Sequence, residues 1–176
     1  MAAEHMIDVE VLTHDGGYVD NVLSTNLAGT ADNSTVVEED FNEYDTSGGR
    51  LAVLWNLTDD WEVLGQFIAQ NSTADGTWES DPALGEYKVT RFFKEYREDD
   101  WYQTALTLTG DLEFAEFTFT AADFSRDIDY EWDNMMYENW RTAFYGVYYA
   151  VGLYDTDYLG GTIFNWQVQE RYSFEA

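Results

Sequence analysis

The sequence WYQTALTLTGDLEFAEFTFTAADF, residues 101–124, decides the fold of this 176-residue chain. In its first half, Leu106 and Leu108 stand at every second position between Thr and Ala residues. The same period of two returns in the second half, at Phe117 and Phe119. Two alternating segments on either side of a Gly-Asp pair predict an antiparallel β-hairpin, and Thr, Phe and Tyr favour strands intrinsically.

The same alternation appears on both sides of this hairpin. Leu51, Val53 and Trp55 alternate in one segment, and Trp61 and Val63 begin another after a short polar break. Weaker alternation near both ends of the chain adds two outer strands. The sequence therefore predicts an all-β fold, an antiparallel up-and-down meander of about six strands. The predicted strands are approximately residues 5–13, 47–57, 61–71, 101–109, 112–124 and 164–174.

The predicted connections differ between the two rims of the sheet. Tight turns at 58–60 and 110–111 lie on one rim, whereas long loops at 14–43, 72–100 and 125–163 lie on the other. Short turns on one rim and long loops on the other are typical of outer-membrane β-barrels, and ten-residue strands suit a tilted membrane crossing. The pattern is that of a transmembrane β-barrel, with much of the acidic charge in the long loops.

Charge and composition exclude several classes of protein. The chain has 35 Asp+Glu against 8 Lys+Arg, a net charge of −27, and no Cys. Such acidity opposes binding to nucleic acid, and the 18% aromatic content opposes a disordered acidic tail. No phosphate-binding loop, nucleophile elbow or helical metal-binding pair is present, which favours a protein without catalytic activity or a cofactor.

The ends and apolar runs of the chain also constrain its class. The first residues carry Glu4, Asp8 and Glu10 where a signal peptide needs an apolar region, so none is predicted. No apolar run approaches the roughly 18 residues of a transmembrane helix. That leaves a soluble protein, or a membrane segment built of β-strands, whose signal per strand is weaker.

Six segments of the chain match one known family in their order and spacing: residues 17–23, 48–53, 91–103, 105–107, 110–112 and 124–134. Together they resemble the barrel of TonB-dependent outer-membrane receptors. The resemblance implies a bacterial outer-membrane importer that is gated by its ligand, a siderophore, haem, cobalamin or glycan. Such barrels close with about 22 strands around a plug, so the chain 1–176 is predicted to be one partial-barrel domain, not competent for transport alone. Its implied partners are outer-membrane lipid, the ligand, and the remaining strands and plug.

A group of cations is the first candidate for ligand contact. Arg91, Lys94 and Arg97 are spaced by three and interleaved with aromatic residues, which predicts an anion-binding or ligand-gripping loop that contains a helical turn. The alternative is local charge balance against neighbouring acids such as Glu95 and Glu98.

The predicted third loop supplies aromatic candidates. Trp132, Tyr137 and Trp140 could stack on sugars or planar chelates, or they could form an interfacial girdle or pack the loop. In the same region, every second residue from Asp127 to Asp133 is an acid. These carboxylates could bind calcium, although their spacing is not that of an EF-hand. A solvated acidic loop is the favoured interpretation. Further rings follow at Tyr145, Tyr148 and Tyr149.

Two other interpretations of the same pattern remain open at this point. One is a small soluble acidic β-barrel that binds a hydrophobic or carbohydrate ligand, with the apolar face as its core. The other is an acidic enzyme of halophilic type. The membrane hypothesis predicts which side chains share each face of the sheet: Val53, Trp55, Leu106, Leu108, Phe117 and Phe119 toward lipid, and Gln66, Gln70, Gln103 and Thr107 toward the lumen.

Overall fold

The computed structural model of this protein describes residues 5–27, 29–137, 140 and 161–176. Six long strands form one antiparallel sheet in the order β1-β3-β4-β6-β7-β8, which confirms the predicted all-β meander. Two short strands, β2 and β5, form a separate parallel pair. The strands are β1 His5–Gly16, β2 Asp20–Asn21, β3 Tyr44–Asn56, β4 Trp61–Asp75, β5 Lys88–Val89, β6 Tyr96–Asp111, β7 Glu116–Asp133 and β8 Thr162–Glu175.

The two short connections lie at one end of the sheet, here called the turn end. Residues 57–60 join β3 to β4. The second turn was predicted at Gly110 and Asp111, and this position is wrong, because both residues belong to β6 and the connection is 112–115. The Asp111 carboxylate accepts a hydrogen bond from the N–H of Glu113, which has φ 64°, so an aspartate-stabilised turn forms after the strand has ended.

The opposite end of the sheet, here called the loop end, extends further than predicted. β4 continues to Asp75, β6 begins at Tyr96 and β7 continues to Asp133. The loops at 72–100 and 125–163 are therefore shorter than predicted, because residues at their ends belong to strands. Apolar alternation ends before the strands do, because a ladder of backbone hydrogen bonds in water does not require apolar side chains.

The first predicted loop, 14–43, also differs from the structure. β1 runs on to Gly16, and the segment that follows contains β2, which pairs with β5 from the next loop. Strands of two residues carry too little periodicity to be predicted. Of the third predicted loop, residues 138–139 and 141–160 lie outside the described residues.

Much of the acidic charge that was predicted for loops lies in strands. Glu98 and Asp100 in β6 pair across the sheet with Asp129 and Asp127 in β7, so their side chains share one face at the loop end. Glu131 lies on the same face. The prediction that the charge belongs mainly to loops is wrong for these residues, because polar strand extensions look like loops in the sequence.

The sheet has two chemically different faces. The strand register places all six side chains predicted to face lipid on one side and all four predicted to face the lumen on the other. We call these the aromatic face and the polar face. Arg50, Arg97, Arg126 and Arg171 all lie on the polar face, and no strand residue described on the aromatic face is Lys or Arg.

At the turn end, the aromatic face carries an apolar surface that crosses all six strands, here called the aromatic band. Eight of its fourteen side chains are exposed, among them Leu106 at 52% and Phe174 at 74%, and the other six are half-buried. Trp61 covers Gly110 on the neighbouring strand and contacts Phe117 at 6.2 Å between ring centroids. The band consists of Val9, Val11, Leu51, Val53, Trp55, Trp61, Val63, Phe67, Leu106, Leu108, Phe117, Phe119, Tyr172 and Phe174.

A buried apolar cluster lies in the connections at the loop end. Val19, Phe41 and Val89 form it, and each is at most 4% exposed. Val19 and Phe41 come from the β1–β3 connection and Val89 from β5, so the cluster joins two loops. No helix among the described residues is long and apolar enough to cross a membrane.

Candidate ligand-binding site

A cavity of about 690 Å³ opens at the loop end of the polar face. The ends of four strands contribute Ala74, Arg97, Trp132 and Ile163 to its wall. The connection between β4 and β6 and the segment after β7 complete it. The remaining lining residues are Gly76, Thr77, Trp78, Glu79, Arg91, Glu95, Asp133, Asn134, Met136, Tyr137 and Trp140.

Two buried asparagines hold the backbone of Arg91 beside this cavity. Asn21 accepts the Arg91 N–H at 2.7 Å and donates to the Arg91 carbonyl at 3.0 Å. Asn33, which is fully buried, donates to the same carbonyl at 2.9 Å. A side-chain amide can donate and accept at once, so it can replace the backbone partners that a loop lacks. The β1–β3 connection therefore fixes the position of Arg91.

The Arg91 side chain ends in a buried ion pair. Its Nε lies 3.1 Å from Oε1 of Glu95, and one terminal nitrogen lies 3.5 Å from the largely exposed carboxylate of Glu79. Arg91 and Glu95 are 6% and 5% exposed. A buried pair of this kind requires further hydrogen bonds to offset the loss of hydration.

The two carboxylate oxygens of Glu95 have different surroundings. Oε1 accepts hydrogen bonds from Arg91 and from the N–H of Asp133 at 3.1 Å. Oε2 is buried and has no hydrogen-bond partner among the described residues. Burial raises the pKa of the Glu95 carboxyl above its usual range, against the opposing effect of Arg91. Glu95 is therefore a buried acceptor with one oxygen uncommitted.

Asp133 attaches the segment before β6 to the end of β7. Its Oδ2 accepts hydrogen bonds from the N–H groups of Phe92 and Phe93, and its Oδ1 accepts one from Met135. A carboxylate that receives several backbone N–H groups acts as a fixed brace. The cavity wall on both sides of Asp133 is therefore tied together.

The second cation of the cavity is also paired. Arg97 donates to Oδ2 of Asp99 at 3.0 Å, and Arg126 donates to both oxygens of the same carboxylate at 2.7 and 2.6 Å. The alternative prediction for these cations, local charge balance, is therefore supported by the observed ion pairs of Arg91 and Arg97.

Aromatic rings supply most of the remaining wall. Trp78, Trp132, Tyr137 and Trp140 are each between 52% and 64% exposed. Tyr137 and Trp140 lie with ring centroids 5.7 Å apart and an interplanar angle of 31°. Half-exposed rings with polar tips at a cavity can contact a ligand that has both apolar and polar surface.

The structure brings five of the six predicted site residues to this one cavity: Arg91, Arg97, Trp132, Tyr137 and Trp140. Their contact with a ligand remains a prediction.

The sixth predicted residue, Lys94, is exposed and does not line the cavity. The predicted helical turn is absent, because residues 91–95 adopt an irregular conformation and Arg97 belongs to β6. Tyr145, Tyr148 and Tyr149 lie outside the described residues.

Sequence reasoning missed the residues that act through long-range contacts. Trp78 gave a weak signal as an aromatic residue in a polar loop. Glu95 appeared only as a counter-ion of the neighbouring cations. Asn21 and Asn33 gave no signal, since their partners are distant in sequence.

The alternating acids of β7 share one face, as a strand requires. Within the described part of the chain, no group of three or more His, Cys, Asp or Glu side chains is placed to hold a metal ion. Comparison with protein-family models, with curated proteins and with solved structures finds no match to this chain.

Proposed function

We propose that this chain forms part of the wall of a bacterial outer-membrane β-barrel of the TonB-dependent receptor type. The aromatic band faces lipid, the polar face lines the lumen, and the cavity at the loop end receives the ligand outside the membrane. The observation that carries the proposal is the contrast between the two faces of one sheet. In a membrane barrel, lipid-facing and lumen-facing residues alternate along every strand.

The dimensions of the aromatic band support this orientation. Along β6 the band and its neighbours extend from Tyr102 to Gly110, close to the roughly 9–11 residues that a tilted strand needs to cross a bilayer. The same face carries Asp123 opposite Thr104, and beyond Tyr102 it becomes acidic at Asp100 and Glu98. Ionised carboxylates are costly in hydrocarbon, so in this proposal the membrane boundary lies near Tyr102 and Asp123.

The edges of the sheet define the partners in this proposal. The outer edges of β1 and β8 have no strand partner among the described residues. Lipid cannot satisfy backbone N–H and C=O groups, so an inserted sheet pairs both edges with further strands, those of the remaining barrel or of other copies of this chain. The same proposal places a plug against the polar face, where Arg50, Arg126 and Arg171 project.

The competing interpretation is a small soluble barrel. It would require β1 to pair with β8 and the aromatic face to turn inward. In the described sheet these two strands are at opposite edges and the band is exposed. The open sheet therefore favours the membrane interpretation.

A pair of single-tryptophan variants tests the proposal. One variant keeps Trp55 in the aromatic band, the other keeps Trp101 on the polar face, and the remaining tryptophans become Phe. After reconstitution into vesicles, brominated lipid should quench Trp55 strongly and Trp101 weakly. Equal quenching, or a monomer that folds cooperatively in plain buffer without lipid, would contradict the proposal.

A further inference from the structure

We infer that the two open edges of the sheet pair with each other between copies of this chain, β8 of one copy against β1 of the next. The inference rests on the proposed function, in which both edges of an inserted sheet are paired, and it names a second copy as their partner. Among the described residues, β1 pairs only with β3, and β8 only with β7. Each edge strand therefore offers a row of backbone N–H and C=O groups to another strand.

The two edge strands lack the features that usually prevent strand addition. Neither contains Pro or Lys. β1 pairs with β3 residue for residue over 12 positions, and β8 pairs with β7 over 14, so no bulge turns either edge away. Apolar side chains on both strands are exposed, among them Val11 at 74% and Trp166 at 67%. Long, regular edges of this kind are sites of association with another strand.

The strand directions favour one arrangement of two copies. β1 runs from the turn end to the loop end, and β8 runs back to the turn end. With the loop ends of both copies together, β8 and β1 are antiparallel and each face of the sheet continues across the junction.

Pairing of β8 with a second β8 is less favourable. An antiparallel pair of this kind inverts one copy, which places the acidic loop end of that copy, with Asp100 and Asp127, level with the aromatic band of the other. Ionised carboxylates are costly in hydrocarbon. The same objection applies to two β1 strands, so the pair of β8 with β1 is the one that suits a membrane.

The charges of the two edges are complementary on the polar face. Arg171 of β8 lies on this face and has no ion-pair partner among the described residues. Asp8 and Glu10 of β1 lie on the same face. The strand register places Arg171 in the same row of the sheet as Glu10. Pairing in this register, or with a shift of two residues to Asp8, brings the cation beside an acid.

The aromatic face supplies a second match. Val9 and Val11 of β1 are 66% and 74% exposed, and Tyr172 and Phe174 of β8 are 68% and 74% exposed. These side chains are the two ends of the aromatic band, so pairing of β8 with β1 joins the band across the junction and covers part of their surface. A slip of one residue would exchange the faces of a strand, so only even shifts keep both matches.

Cysteine cross-linking tests the pairing with the full chain, which contains no Cys. Leu12→Cys in β1 and Gln169→Cys in β8 are the reporters, since both side chains are exposed on the polar face and belong to one row of the sheet. Gln103→Cys is the matched control, because Gln103 is exposed on the same face of an inner strand.

The variants are mixed in lipid vesicles and treated with a short thiol-specific cross-linker. Leu12→Cys should form dimers with Gln169→Cys, in a yield above that of either reporter with itself or with Gln103→Cys. No dimer in the first mixture, or dimers of either reporter with itself in equal yield, would overturn the inference.

Charge reversal then tests the role of Arg171. Arg171→Glu, introduced into both reporter chains, should lower the dimer yield about 5-fold or more, because like charges opposite each other destabilise a strand pair. Adding Glu10→Arg should restore the yield. Gln103→Glu is the control, since it adds an acid to the same face away from both edges, and it should leave the yield unchanged. Equal yields for Arg171→Glu and Gln103→Glu would overturn the charge match.

Sedimentation of the unmodified chain in detergent covers the case in which a variant does not fold. Assemblies of two or more copies are expected, and a single copy would overturn the inference. A single copy whose Trp55 is quenched by brominated lipid would reject the inference and keep the proposed function, with the remaining barrel as the partner of both edges. Cross-linked copies without lipid quenching of Trp55 would reject the proposed function and keep only the edge pairing.

Discussion

The six-stranded sheet and the loop end of this protein are stabilised in different ways. The sheet has exposed side chains on both faces, and Leu106 and Phe174 of the aromatic band are more than half exposed. The loop end contains fully buried groups, among them Val19 and Asn33. The loop end supplies its own core, whereas the sheet depends on what covers its faces. The effect of a substitution on stability should therefore depend on the surroundings differently in the two regions.

The largest difference should appear between two asparagines. Asn21→Ala leaves the Arg91 N–H without its partner and removes one of the two donors to the Arg91 carbonyl, which keeps Asn33. It should cost about 3 kcal/mol of local stability, since an orphaned buried group costs about 1–3 kcal/mol and each further lost hydrogen bond about 0.5–1.5 kcal/mol. Asn71→Ala removes an exposed hydrogen bond to Asp100 and should cost about 0.5 kcal/mol. Hydrogen exchange of the amides of residues 88–91 measures the first effect. Similar costs for both variants would remove the distinction between the two regions.

Two glycines sharpen the same comparison within the loops. Gly76 and Gly29 have similar positive φ values, 66° and 70°, so alanine at either position should cost about 1–2 kcal/mol from backbone strain. At Gly76 a Cβ would also lie 2.5 Å from the carbonyl oxygen of Phe41, whereas at Gly29 it meets nothing within 4 Å. Gly76→Ala should therefore destabilise the loop end by about 2 kcal/mol more than Gly29→Ala. Equal destabilisation would show that Phe41 is not held in place.

A change of pH should have a smaller effect on the stability of the loop end. Burial raises the pKa of Glu95 in the folded chain above its value in the unfolded chain. The stability that the protonated carboxyl contributes is therefore present at low pH and is lost as pH rises through the folded pKa. Hydrogen exchange at the loop end should show stability that declines with rising pH in the native chain. Glu95→Gln should remove this decline, and Glu131→Gln should retain it. A decline that persists in Glu95→Gln would assign it to another group.

The sequence could predict the sheet because its signal is local. Alternation around Leu106 and Phe117 is visible within ten residues, and it correctly assigned side chains to both faces. The same reasoning placed the strand ends too early, because polar extensions such as residues 127–133 share the composition of loops. Acidic alternation in that segment was the signal that could have revealed a strand.

The candidate site was only partly predictable, for a different physical reason. Arg97 and Trp132 stand out by residue type, and the structure places both at the cavity. The groups that position Arg91 do not stand out in the sequence, since Asn21 contacts Arg91 across 70 residues of the chain. A buried asparagine and an exposed one have the same appearance in a sequence. Only the folded chain shows which one has become a structural hydrogen-bonding group.

The most direct test of the central claim, that the aromatic band faces lipid, compares two lysines in β6. Leu106 and Gln103 are both exposed, and they lie on opposite faces. In lipid bilayers, Leu106→Lys should lower the free energy of unfolding by about 2–4 kcal/mol, whereas Gln103→Lys should change it by less than about 1 kcal/mol. A smaller cost for Leu106→Lys than for Gln103→Lys, or no cost for either, would contradict the proposed orientation.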